Sequence, residues 1–80
     1  MNVDQLRSAL RELNGERDAE FTFAGMPEHL AHVTVRRAML IPDEPDHLVK
    51  VTDGKSVYII ESERVAWVRI GIADAVTREV

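Results

Sequence analysis

Between residues 13 and 19 the apolar residues of this chain change their spacing, and no other feature restricts the fold as strongly. Before the change, Val3, Leu6, Leu10 and Leu13 recur at intervals of three, four and three, which is one stripe of an amphipathic helix. After it, apolar and polar residues alternate in pairs, the period of a strand. One helix is therefore followed by strands alone, in a chain of 80 residues that has no room for a second helical layer.

The helix is predicted over residues 3–13, with Asn2 as N-cap, Gln5 completing a capping box and Asn14-Gly15 as a left-handed stop. Strands follow at about 19–24, 30–41, 47–52, 56–61 and 65–72. In the first, Ala19, Phe21 and Phe23 share a face. In the second, Val33, Val35, Met39 and Ile41 fall on one face and His32, Thr34 and Arg36 on the other, and Arg37 breaks the alternation as a β-bulge would. Pro42 and Pro45 make residues 42–46 an exposed acidic loop, since each proline removes a ladder donor. Asp53-Gly54 predicts a tight type I′ hairpin turn. Residues 73–80 suit a short helix capped by Asp74, an added edge strand or a frayed end. The whole reads as a single α+β, mostly β domain, 1–80: an N-terminal helix and a five-stranded antiparallel SH3-like or Sm-like small barrel or roll.

A domain this short buries only roughly 60–65% of the surface its unfolded chain exposes, so a supplement to the core is expected. The sequence has no cysteine, which excludes disulfides and thiolate metal sites and suits a reducing compartment. Self-association is the supplement that remains. The last two strands support it, being apolar on both faces: Val57 and Ile59 against Tyr58 and Ile60, then Ala66, Val68, Ile70 and Ile72 against Val65 and Trp67. An oligomer interface through Tyr58, Ile60, Val65 and Trp67 is expected, with a further protein partner compatible with it. Asp4, Arg7, Arg11 and Glu12 near the start are unlike a signal peptide, and no apolar run approaches the ~18–20 residues of a membrane span. A cytoplasmic location away from membranes is the expectation.

The order of a helix and five strands, and the closing run VYIIESERVAWVRI, resemble the Sm-like (LSm and Hfq) barrel over roughly residues 3–72. That resemblance implies a bent antiparallel sheet under an N-terminal helix, with the last strand pairing with the next subunit of a ring. Sm-like RNA binders carry an Asp and Asn pair after the second strand and an Arg-Gly or Lys-His signature between the last strands. Here those stretches read Pro42-Asp43-Glu44-Pro45-Asp46 and Ile60-Glu61-Ser62-Glu63-Arg64, so no RNA-binding residue carries over. A shorter run, Val68-Arg69-Ile70-Gly71-Ile72 with Val76 and Arg78-Glu79, resembles CsrA-type RNA-binding proteins. The stretch from Arg36 to Ile70 also looks like small bacterial β-domains.

Catalysis is not expected. There is no cysteine nucleophile, no Gly-x-Ser-x-Gly turn and no glycine-rich phosphate loop. His29 and His32, three apart and leading into a strand, point to opposite faces and do not suit one metal ion. No cofactor is expected. Nucleic-acid binding is the alternative to self-association: Arg36, Arg37, Lys55 and Arg64, with Trp67 as a stacking face, would form a local basic patch on a chain whose net charge is −4.

Overall fold

The structure is a computed structural model and describes residues 1–72. The three readings of residues 73–80, and the Val76 and Arg78-Glu79 of the CsrA-type resemblance, lie outside the described residues. Helix α1 spans Val3–Leu10, followed by β1 (Asn14–Phe23), β2 (His32–Leu40), β3 (Val49–Thr52), β4 (Val57–Ile60) and β5 (Val65–Ile70). Single 3₁₀ turns, Glu28–Leu30 and Ser62–Arg64, precede β2 and β5.

The capping box forms: Gln5 N donates to Asn2 Oδ1 at 2.7 Å, and Asn2 N donates to Gln5 Oε1 at 3.0 Å. The helix is shorter than its stripe. It ends at Leu10, Leu13 is buried just beyond it, and Asn14-Gly15 opens β1 instead of stopping the helix. Gly15, at φ 90°, lies in an irregular start where three steps of β1, Asn14 to Arg17, oppose one step of β2. A glycine after a helix thus served a strand's need for positive φ.

The five strands form one antiparallel sheet in the order β4-β3-β2-β1-β5. Among the described residues β4 and β5 form no ladder with each other, so the sheet is open and these two strands are its edges. Helix α1 covers the inner face. Leu6 and Leu10 sit fully buried with Phe21, Val35, Val49 and Val51, and Ala19, Ala38, Ile60 and Val65 complete the core. Each large apolar side chain contributes at most about 1.5–3 kcal/mol by leaving water.

The bulge at Arg37 is present and carries more weight than its one residue suggests. From Arg17↔Ala38 to Ala19↔Val35, two steps along β1 oppose three along β2. Arg37 takes φ 48°, and its N–H donates to Asp18 Oδ1 at 2.9 Å. Val33 and Val35 face inward before the bulge, and Ala38 and Leu40 after it. Met39 therefore turns out to solvent instead of joining Val33 and Val35.

The β3–β4 connection is not the two-residue type I′ turn expected from Asp53-Gly54. Only Gly54 has positive φ, 93°, and Asp53 N donates to Ser56 O across a four-residue turn. Asp53 works through its carboxylate, which accepts from Lys55 N at 2.8 Å, Ser56 N at 2.7 Å and Tyr58 Oη at 3.3 Å. Those backbone donors hold its pKa below the ordinary value, and the same negative charge raises that of Tyr58.

Candidate functional site

The β2–β3 loop is exposed and acidic as expected, but its charges are engaged. Asp43 lies 3.5 Å from Arg7 and 3.2 Å from His47 Nδ1. Arg7 also donates to Leu48 O at 2.9 Å and Ile41 O at 3.3 Å, so one side chain of α1 straps both ends of the loop to the helix. At the start of β3 the Lys50 ammonium bonds Glu44 and, at 2.7 Å, Asp46. The Lys50 bond and the Leu48 N–H lower the Asp46 pKa, and Asp46 followed by Glu44 raises that of Lys50.

The basic residues singled out by sequence do not converge. Trp67 lies opposite Thr22, which lies opposite His32, forming a row across the outer face of β5, β1 and β2. Arg64 is in the turn just before β5. Arg37 lies five residues farther along β2 than His32, roughly 16 Å at strand rise, and lines a shallow depression of ≈ 250 Å³ with Met39, Thr52, Asp53 and Gly54. Lys55 follows in that same turn. Arg36 lies between the two ends, 3.5 Å from Asp18, and Arg69 bonds Glu20 at 2.7 Å. The outer face of β5, β1 and β2 is thus a mosaic of opposite charges around a ≈ 300 Å³ cleft lined by Asp18, Glu20, Thr34, Arg36 and Arg69.

The proposed interface residues are also redistributed. Ile60 and Val65 belong to this chain's own core, at 6% and 4% exposure, and Tyr58 is half-buried against it. Of the four, only Trp67 is exposed. The β3–β4 register explains the reversal, because Ile60 lies opposite Val49 and Tyr58 opposite Val51, both core residues. Val57 and Ile59 take the outer face, 54% and 62% exposed, opposite Thr52 and Lys50. With Met39 opposite Thr52, 45% exposed, they form an apolar patch on β2, β3 and β4. Alternation could not reveal it, since VYII is apolar at every position.

His29 is exposed in a 3₁₀ turn, and His32 Nδ1 lies 3.0 Å from Thr22 Oγ1. Among the described residues no group of three or more His, Asp or Glu side chains is placed to hold a metal ion, and no helix is long and apolar enough to cross a membrane. Comparison of the chain with protein-family models, with curated proteins and with solved structures gives no match.

Proposed function

We propose that this protein is a non-catalytic interaction module of the cytoplasm that assembles with copies of itself. The observation that carries this reading is strand β4. It has four residues, all apolar, is paired on one side only among the described residues, and exposes Val57 and Ile59 at the sheet's edge. Such an edge is a template for another chain unless something covers it. The apolar surface of this edge continues from Val57 and Ile59 across Thr52 to Met39 of β2, so the outer face beside the edge is left uncovered as well. Light scattering on the eluting protein at micromolar concentration is expected to give a multiple of 9.0 kDa. A monomer at 100 μM, about a hundredfold above a micromolar dissociation constant, overturns the reading.

A second reading, an Sm-like RNA binder, is favoured by one observation. Trp67 presents 46% of its surface beside Thr22 and His32, a stacking face for an unpaired base. Against it, Arg7, Arg17, Arg36, Lys50 and Arg69 are each already beside a carboxylate. It predicts single-stranded RNA binding that weakens steeply with salt and is lost in Trp67→Ala. Absence of binding at low salt removes it.

A further inference from the structure

We infer that a second copy of this chain seats on the outer face of β2, β3 and β4, the two copies packed face to face about a two-fold axis, with Arg37 of each beside the acidic β2–β3 loop of the other. The inference rests on the self-association proposed above and names its surface.

Three observations carry it. First, the patch is apolar where it must be buried: Met39, Val57 and Ile59 are exposed on the outer face of three adjacent strands. Second, the two polar side chains among them are already satisfied from within. Thr52 Oγ1 donates to Ser56 O at 2.7 Å and accepts from Gly54 N at 3.0 Å. Lys50 stands in the middle of the face, yet its ammonium is drawn to Glu44 and Asp46 at the loop, leaving its side chain 17% exposed. Covering this face strands no side-chain donor or acceptor. The outer face of β5, β1 and β2 is different, because the Arg36–Asp18 and Arg69–Glu20 pairs line the cleft at its centre, whereas the Lys50 pairs lie at the loop end of the apolar patch.

Third, the ends of the patch are complementary in charge. At one end Asp43, Glu44 and Asp46 outnumber their partners Arg7 and Lys50. At the other, Arg37 and Lys55 outnumber Asp53, and Arg37 is exposed, makes no ion pair among the described residues, and is re-aimed by its left-handed backbone. A two-fold axis lying in the interface and perpendicular to the strands exchanges the ends, so Arg37 of each copy meets the acidic loop of the other twice over. The same symmetry makes the apolar centre pack on itself.

The test is sedimentation equilibrium on the wild-type chain, Ile59→Glu, Arg37→Glu, and the swap Arg37→Glu with Glu44→Arg, each checked by circular dichroism for an unchanged fold. Both single changes are at exposed positions, and Lys50 keeps Asp46 in the swap. The expected result is a dissociation constant raised at least about a hundredfold by Ile59→Glu, raised about tenfold by Arg37→Glu, and largely recovered by the swap. A wild-type chain that associates with a constant unchanged in both Ile59→Glu and Arg37→Glu overturns the face while leaving self-association standing. A monomeric wild-type chain overturns both. A chain that stays monomeric yet buries Ile59 against a different protein gives the face another occupant and also overturns the inference.

Discussion

Replacing Arg7 tests whether one guanidinium holds the β2–β3 loop to the helix. Its side chain is 14% exposed and meets three acceptors: Leu48 O at 2.9 Å, Ile41 O at 3.3 Å and Asp43 at 3.5 Å. A bond from a charged donor contributes about 1.5–3 kcal/mol; the longer one belongs at the low end, and the pair with half-exposed Asp43 adds under about 1. Working against these, Arg7 Nε is buried with no acceptor, at a cost of about 1–3 kcal/mol. The net is about 2 kcal/mol for Arg7→Met, which keeps the aliphatic stem, and about 3 for Arg7→Ala, which loses the stem's packing as well. Total stability for a chain this size is about 4–12 kcal/mol, so either change is a large fraction of it. Urea denaturation followed by circular dichroism measures the loss, and Arg7→Met is expected to lower the melting temperature by roughly 8–16 °C. Asp43→Asn should cost under about 1 kcal/mol. An Arg7→Met variant within about 0.5 kcal/mol of wild type refutes the reasoning, because the orphaned Nε would then cancel everything the two carbonyls contribute.

Two further results are expected. Phe21, the largest fully buried side chain, should cost about 3–5 kcal/mol on conversion to Ala, enough to leave a measurable unfolded fraction at 37 °C by near-ultraviolet circular dichroism. The pKa values of Asp46 and Asp53 are depressed in the folded chain, so they stabilise it above the ordinary carboxylate value and lose that contribution as pH falls through the lowered values. Melting temperature should accordingly fall below about pH 4, less steeply in Asp53→Asn; Lys50, whose pKa is raised, loses its contribution only in strong alkali.

The helix, its capping box and five strands in order are readable from residue types because each depends on local spacing. Asn2 and Gln5 need only be three apart, and Ala19 and Phe21 need only alternate. What the sequence hides depends on pairing between distant segments. Which face of VYII is buried follows from Ile60 lying opposite Val49, eleven residues away, and no periodicity in a wholly apolar run encodes that. Asn14-Gly15 carries the same turn chemistry whether it stops a helix or starts a bulged strand, and partner Met39 decides between them. The basic residues failed to gather for a related reason. They lie on separate elements spread over residues 36–67, and register sends Trp67 and Arg37 to opposite ends of the sheet. Closure of the sheet was likewise a matter of whether two edges meet, and α1 covers the inner face that a barrel would have enclosed.

Arg37 has one more consequence. A strand of this length can be read in two frames, straight or with one residue set aside. The straight frame would carry Arg37 and Met39 inward and push Ala38 and Leu40 out. Burying an unpaired guanidinium is costly enough to forbid that frame, so a charge on the surface decides which hydrophobic residues the core receives. Exchange it for Val and the veto disappears: two registers become acceptable to one sequence, and the chain would be free to show either Met39 or Leu40 to the outside world.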